Sequence, residues 1–202
     1  MKDLTLYFDT ETSGLPNFKV HNSDPSQPWV VQLAAVLCDG ENPVMSMNLL
    51  CKSEGLPMSK EAQDAHGISV EMADVYGYSP GYVFNLFHSM CTRATKLIAH
   101  NLSFDMKLIT ILAGRLDELS GGQSKQMLDE IKDITTHCTM MTTTNIVCAP
   151  YPSGRKGNKW PKLEELYFFL FNENLIGAHD ALVDVMATRK CHLALTERGL
   201  YK

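Results

Sequence analysis

The chain has 202 residues, of which 45% are hydrophobic and 20% charged, and its formal net charge at pH 7 is −5. This length suits one domain spanning 1–202, and the composition excludes a disordered chain. The negative balance argues against a protein that coats nucleic acid through bulk positive charge. It does not exclude a nuclease, because an acidic metal site contributes negative charge by itself.

No apolar run approaches the roughly 20 residues that cross a bilayer. The N-terminus also lacks the basic and apolar segments of a secretory signal, so we expect a cytoplasmic protein without membrane contact. The six cysteines contain no Cys-x-x-Cys pair, which argues against a zinc cluster or a redox pair and favours reduced thiols.

The first part of the chain predicts a group of strands. Residues 4–8 are apolar and rich in strand-forming side chains, whereas the polar, proline-containing stretch 16–28 predicts a loop. Residues 29–38 and 44–51 predict the second and third strands. The turn-forming residues 39–43 between them favour a hairpin.

Helices become frequent after the third strand. A short helix capped at Ser59 is expected to end near Gly67. A second helix, over 80–92, opens with a proline. Residues 96–99 predict a fourth strand, and the apolar spacing in 103–119 predicts a long helix with one buried face.

The last third of the chain predicts further helices. Residues 127–145 fit two helical pieces, and 151–161 predict a loop rich in glycine, proline and basic residues. Helices are expected over 163–171 and 178–198. A hairpin followed by alternating strands and helices predicts an α/β fold, with a mixed sheet flanked by helices.

Two carboxylates follow the first predicted strand. Asp9 and Glu11 are separated by one residue, so they lie on the same face of extended chain. Two like charges directed at one point cost energy unless a cation lies between them. A solvated strand end would carry the same residues, so at this point the alternative to a metal site stays open.

Two further motifs place acids at the starts of helices. Asp105 ends the motif 100–105 in the first turn of its helix, where an acid also stabilises the helix dipole without a metal. His179 and Asp184 are separated by a little over one helical turn. Asp180 suits a helix start, whereas Asp184 lies between two valines, where an unpaired carboxylate would be costly.

Together these motifs resemble the DEDD superfamily of 3′→5′ exonucleases, in its subgroup with a catalytic histidine. The family motif Asp-x-Glu followed by Thr/Ser-Gly-Leu matches residues 9–15. The motif His-Asn-x-x-Phe-Asp matches 100–105, and His-x-x-x-x-Asp matches 179–184. The spacing is most similar to that of the epsilon proofreading subunit of bacterial replicative polymerase. Asp180 stands where the related tyrosine subgroup carries its tyrosine, which favours the histidine subgroup.

The resemblance extends between the motifs. Residues 65–69 match the family's His-Gly-Ile-Thr/Ser segment, and 162–166 match its Leu-x-x-Leu helix, so about residues 4–198 are covered. The fold implied is ribonuclease-H-like, with a mixed five-stranded sheet flanked by helices. The missing fifth strand is expected between 133 and 145, where residues 136–144 are rich in β-branched threonine.

The resemblance implies two divalent metal ions, Mg²⁺ or Mn²⁺, which both prefer oxygen ligands. Their expected ligands are four acids, with one bridging both ions: Asp9 as the bridge, Glu11, Asp105 and Asp184. The resemblance makes all four acids catalytic together with His179, the candidate general base. An imidazole titrates near neutrality and can therefore take a proton from a metal-bound water.

The resemblance also implies contacts with the terminal nucleotide. The first motif contributes four residues expected there: Thr10, Thr12, Gly14 and Leu15, the last as an apolar wedge. Phe104 either stacks on a base or packs in the core. Asn101 either contacts the nucleotide or fixes its own motif, and His66 either lines the groove or merely ends a helix.

The segment 153–162 carries four basic residues and no acid. Its charge predicts that Arg155, Lys156 and Lys159 contact phosphates, and that Trp160 stacks on a base. The alternative is a solvated loop.

The predicted activity is hydrolysis of DNA at single-stranded or frayed 3′ ends, with release of nucleoside monophosphates. A 3′→5′ exoribonuclease or oligoribonuclease is the alternative, because the same acids serve both sugars. A non-catalytic nucleic-acid-binding module is disfavoured, since all four acids and His179 are present. The short chain after the last helix favours a free-standing enzyme, although a polymerase partner stays open.

Overall fold

The computed structural model describes residues 3–200. A five-stranded sheet forms its centre, with strand order β3-β2-β1-β4-β5. The strands are β1 (Leu4–Thr12), β2 (Val30–Asp39), β3 (Asn42–Leu50), β4 (Lys96–Ala99) and β5 (Thr135–Cys138). The helices are α1 (Lys60–His66), α2 (Val70–Tyr76), α3 (Pro80–Cys91), α4 (Leu102–Ser120), α5 (Gln123–Ile131), α6 (Thr139–Val147), α7 (Leu163–Phe171) and α8 (Ala181–Glu197).

The sheet is mixed, as the sequence predicts. β2 pairs antiparallel with both β1 and β3, whereas β4 pairs parallel with both β1 and β5. Parallel neighbours need crossover helices, which cover both faces of the sheet and bury them. The predicted α/β architecture is therefore confirmed.

The two faces of β1 bury different residues. Leu6 and Phe8 pack into a large cluster with α3, α4 and α5. Tyr7, between them in sequence, packs on the opposite face against Ala181 and Val185 of α8. This alternation follows from the two-residue period of a strand, and it determines which helix each residue of β1 can reach.

The structure corrects several boundaries of the predicted elements. β1 continues to Thr12, so Asp9 and Glu11 lie within the strand rather than after it. The fifth strand lies in the predicted region, but it stops at Cys138, and the rest of the threonine-rich stretch forms α6. The last helix begins at Ala181, three residues later than expected.

One helix was not predicted. α2 is only seven residues long, and it is capped by Ser69, whose hydroxyl accepts a hydrogen bond from the Met72 backbone. Within residues 3–200, no helix is both long and apolar enough to span a membrane.

Candidate active site

Strand alternation directs the two acids of β1 toward α8. Asp9 and Glu11 follow Tyr7 on the face of the sheet that α8 covers. Gln32, opposite Glu11 on β2, lies on the same face and accepts a hydrogen bond from the Ala181 backbone at 3.1 Å. This buried amide attaches the first residue of α8 to the sheet beside Glu11.

Thr10 lies on the opposite face of β1 and contacts α4. Its hydroxyl donates to Asp105 Oδ1 at 2.7 Å, and its backbone N–H donates to the same oxygen at 3.1 Å. Asp105 is only 2% exposed. Because both bonds end on one carboxylate oxygen, the orientation of the other oxygen is fixed as well.

The start of α8 brings the histidine and the last acid together. The Asp180 side chain caps the helix by accepting hydrogen bonds from the Leu182 and Val183 backbones, the structural role that its position favours. His179 adopts a left-handed backbone conformation, with φ 68°, and its N–H donates to Asp184 Oδ2 at 3.1 Å. The His179 side chain is 55% exposed, and its Nε2 lies 3.9 Å from Glu164 Oε1.

These groups meet in one cleft with a volume of about 700 Å³. Its walls include all four predicted metal-binding acids and the predicted base: Asp9, Glu11, Asp105, Asp184 and His179. The cleft therefore brings together residues from three sequence motifs, the first at Asp9 and the last ending at Asp184.

Burial and mutual repulsion oppose ionisation of these acids. Burial, followed by the charges of Asp184 and Asp105, raises the pKa of Glu11 to about 8. Burial raises the pKa of Asp105 to about 7, although the hydrogen bonds from Thr10 oppose this shift. Burial also raises the pKa of Asp184 to about 6. The pKa of Asp9 is raised well above its ordinary value by burial and by the neighbouring acids.

The donor set fits hard divalent cations. Carboxylate oxygens of Glu11 and Asp184 lie within 4.8 Å of each other, and a ring nitrogen of His179 lies within the same distance of both. Asp184 Oδ1 is buried and has no hydrogen-bond partner within residues 3–200. An unpartnered buried carboxylate oxygen is costly, and a cation among these acids would remove that cost as well as the repulsion.

Most of the predicted substrate-binding residues line this cleft. They are Thr10, Thr12, Gly14, Leu15, His66, Asn101, Phe104 and Trp160. Leu15 is 86% exposed, which is unusual for a leucine, whereas Phe104 is half-buried and also packs against the core. Asn101 precedes α4 in a left-handed conformation, and its side chain does not cap the helix.

The basic loop is placed differently. Arg155, Lys156 and Lys159 do not line the cleft, although Trp160 at the end of the loop does. The Lys159 ammonium pairs with Glu165 of α7, and the Arg155 guanidinium lies over the Tyr151 ring, 5.3 Å from its centroid. Local charge alone did not reveal these partners.

Several cleft residues were not singled out from the sequence. Glu61, Lys162 and Glu164 line the cleft, and the last two lie in the helical segment that the resemblance had matched. His100 also lines it, with Nε2 donating to the Pro161 carbonyl at 3.0 Å and Nδ1 2.9 Å from the Thr139 hydroxyl. Burial lowers the pKa of His100 to about 4, so its ring is neutral near pH 7.

Comparisons with known proteins agree with this geometry. A family model described as exonuclease, named RNase_T, matches residues 6–191. A search of curated proteins found no match.

Solved structures of Exonuclease I share the fold. Escherichia coli Exonuclease I in complex with a dT13 oligonucleotide has a TM-score of 0.73 and 20% identity, over 97% of this chain and 41% of that one. Exonuclease I from Methylocaldum szegediense has a TM-score of 0.70 and 23% identity, over 97% and 41%. A zinc-bound E. coli Exonuclease I–ssDNA complex has a TM-score of 0.68 and 22% identity, over 98% and 41%.

This chain thus spans about two fifths of the Exonuclease I chains that it matches. The likeness extends over nearly all of the present chain and supports the predicted ribonuclease-H-like fold. Since the family model covers most of the sequence, the chain belongs to the exonuclease family, as its resemblance to the DEDD 3′→5′ exonucleases predicted.

Proposed function

We propose that this chain hydrolyses DNA from single-stranded or frayed 3′ ends and releases nucleoside monophosphates. In this proposal two divalent ions, Mg²⁺ or Mn²⁺, bind among Asp9, Glu11, Asp105 and Asp184. His179 is the general base. The observation that carries the proposal is the convergence of these five side chains in a single cleft.

The carboxylates are held by contacts of the chain itself. Thr10 orients Asp105 through two hydrogen bonds, and the His179 backbone orients Asp184. Bound Mg²⁺ or Mn²⁺ would supply an activated water and would neutralise charge on the phosphate. Cations among the acids would also offset the negative charge that the ionised carboxylates present to a phosphate.

His179 is suited to accept a proton. Its ring is exposed in the cleft, whereas its backbone is attached to Asp184, so the imidazole can reach a water near the acids. Glu164 lies 3.9 Å from Nε2 and stabilises the imidazolium that forms after proton transfer. His100 does not compete for this role, because both of its ring nitrogens have partners.

The apolar residues of the cleft suit a terminal nucleotide. Leu15 and Trp160 are largely exposed, and Phe104 lines the same cleft. Exposed rings stack on bases without sequence preference. The proposal favours DNA over RNA because a structure with the same fold was solved with a dT13 oligonucleotide. A polymerase partner stays a prediction.

Oligonucleotides labelled at either end test the proposal. We expect loss of nucleotides from the 3′ end only, in the presence of Mg²⁺ or Mn²⁺, and faster on single-stranded DNA than on RNA. Zn²⁺ is included as a third metal, since a zinc-bound structure exists for a similar fold. Absence of 3′ shortening on every polymer with every metal would disprove the proposed activity, and faster RNA cleavage would reverse the polymer.

Asp9→Asn provides the control for the metal site. The change keeps the size of the side chain but removes a carboxylate from the middle of the acids. We expect no measurable cleavage, together with a higher melting temperature in EDTA, because less like charge is buried. Cleavage that persists in Asp9→Asn would exclude Asp9 as a required ligand.

A further inference from the structure

The loop 16–28 is held firmly against α4. Arg115 of α4 donates to the Pro28 carbonyl at 2.9 Å and also contacts the Gln27 carbonyl. The buried Gln27 side chain closes the loop internally, since its amide donates to the Asn17 carbonyl at 2.8 Å and its oxygen accepts from the Asn17 backbone. The loop is therefore a fixed surface beside the cleft.

Phe18 and Lys19 of this loop, together with Lys107 of α4, form a basic aromatic surface, here called the Phe18 patch. The Phe18 side chain is 64% exposed, and the Lys107 ammonium lies 5.5 Å from the centroid of its ring. Lys107 also donates to Asn22 Oδ1 at 2.6 Å, which uses one of its three N–H donors. Lys19 is exposed.

No carboxylate lies within ion-pair distance of Lys19 or Lys107 in the part of the chain from 3 to 200. In the basic loop, by contrast, Lys159, the basic residue that directly precedes the cleft residue Trp160, is paired with Glu165. The Phe18 patch thus offers an exposed ring with the Lys107 ammonium beside it, and an exposed lysine next to Phe18 in sequence, on a chain of net charge −5. This combination is complementary to a phosphate backbone with unstacked bases.

The Phe18 patch is continuous with the cleft along two elements. Leu15 lines the cleft, and Phe18 follows it by three residues in the same loop. Phe104 lines the cleft as well, and Lys107 follows it by one turn on the same side of α4. A strand that leaves the cleft past Leu15 and Phe104 therefore meets Phe18 and Lys107 next.

We propose that the Phe18 patch binds the single strand just upstream of the few 3′-terminal nucleotides that the cleft itself holds. In this arrangement, which rests on the proposed function, a base stacks on Phe18 while Lys19 and Lys107 contact phosphates. The patch increases the affinity for longer strands and leaves the reaction at the terminal phosphodiester unchanged. The enzyme thereby keeps hold of the polymer after each nucleotide is released.

Binding measured without cleavage tests this proposal. Fluorescence anisotropy compares a 5′-labelled trinucleotide with an oligonucleotide of about 12 nucleotides in Ca²⁺, an ion that also takes oxygen ligands. We expect Phe18→Ala and Lys107→Met each to weaken binding of the longer strand by at least about five-fold, and to leave the trinucleotide unchanged. Each lost phosphate contact should lower the salt dependence by about 0.7 in the logarithmic slope.

Control variants distinguish the loss of a phosphate or base contact from a general loss of folding or binding. Lys107→Arg keeps the positive charge and should bind the longer strand nearly as well as the unmodified chain. Lys125→Ala removes an exposed lysine of α5 that lies outside the cleft, and it should change nothing. Lys19→Ala alters only an exposed side chain, so folding is not in question.

Two results would overturn the proposal: unchanged affinity for the longer strand in Phe18→Ala, Lys107→Met and Lys19→Ala alike, or an equal loss for the trinucleotide. Either result leaves the proposed function intact if the trinucleotide is still cleaved in Mg²⁺. If the unmodified chain cleaves no strand, the proposed function is wrong. The cleavage assay shows this independently of the binding measurements.

Discussion

At the scale of single residues, Thr10 connects the two sides of the site. It lies between Asp9 and Glu11 in sequence, yet it contacts Asp105 from the opposite face of β1. Both of its hydrogen bonds end on the same carboxylate oxygen, so its hydroxyl can be removed while the backbone bond remains.

We therefore predict that Thr10→Val lowers the affinity for Mn²⁺ or the cleavage rate by about 10- to 100-fold, the usual effect of losing an orienting contact behind a metal ligand. Thr10→Ser keeps the hydroxyl and should retain most of the rate. Calorimetric titration with Mn²⁺ and single-turnover cleavage measure the two effects. Equal rates for the valine and serine variants would mean that the backbone bond alone positions Asp105.

His179 combines a backbone role with a proposed chemical one. Its left-handed conformation is uncommon for a side chain other than glycine, but asparagine tolerates it well. His179→Asn should therefore keep the hydrogen bond to Asp184 and lower kcat by about 10²- to 10⁴-fold, the range for loss of a general base. The melting temperature and the Mn²⁺ affinity should not change.

The same measurements on His179→Ala separate the two roles. Alanine is strained in this conformation, so we expect a lower melting temperature in addition to the lost rate. Full activity in His179→Asn would assign the base to another group.

At the scale of elements, His100 joins three parts of the fold. It follows β4, and its ring bonds connect that strand end to Thr139 at the start of α6 and to the Pro161 carbonyl before α7. Trp160 and Lys162, on either side of this carbonyl, line the cleft. His100 thus positions one wall of the site through contacts that leave its ring neutral.

We predict that His100→Ala destabilises the chain by about 1–3 kcal/mol, since it leaves buried partners without their hydrogen bonds. The KM for DNA should rise as the wall around Trp160 loosens. Chemical denaturation and steady-state kinetics measure these effects. Thr139→Val removes only one of the two bonds and should cost less; an equal cost would mean that the bond to Pro161 contributes little.

Some secondary-structure elements could be predicted from local sequence patterns, and others could not. The hairpin, the long helix α4 and the cap at Ser59 were predicted, because periodicity and caps are local properties. The threonines of 136–144 favour a strand within a stretch that also fits helices, and only Thr135–Cys138 pairs with β4. Beyond it no neighbouring strand is available, so the weak strand preference of threonine gives way to a helix.

The site was predictable where the chemistry follows a motif. Asp9, Glu11, Asp105, Asp184 and His179, which the family resemblance grouped together, all line one cleft. The residues that support or extend the site were not predictable, because the sequence does not show their partners. Gln32 contacts a residue 149 positions away. The charge of Lys159 predicted a phosphate contact, but the fold pairs this lysine with Glu165.

At the scale of the whole molecule, the acids make stability depend on pH and metal. Glu11 ionises near pH 4.5 in an unfolded chain, but burial raises its pKa to about 8 in the fold. Across this window the folded chain holds a proton that the unfolded chain has lost. The contribution of Glu11 is therefore most favourable below about pH 4.5 and becomes unfavourable as the pH rises toward 8.

We predict that Glu11→Gln raises the melting temperature in EDTA, by an amount that grows between about pH 5 and pH 8. Mn²⁺ should stabilise the unmodified chain more at pH 8 than at pH 5, and should stabilise the variant less. The buried histidines shift stability in the opposite direction, so the comparison is made between variant and parent at each pH. A difference independent of pH would contradict the buried, repelled state of Glu11.

The alternation along β1 has a consequence for how this family can vary. One inserted or deleted residue ahead of Asp9 in the strand would exchange its two faces. Two acids would then turn into the apolar cluster with α3 and α4, while Thr10 would face α8 and release Asp105. Single substitutions in β1 leave this alternation in place, whereas a change in its length by an odd number of residues would separate the acids from Asp105 and α8. The loop that follows Leu15 is under no such parity rule, so we expect length differences among related sequences to fall there.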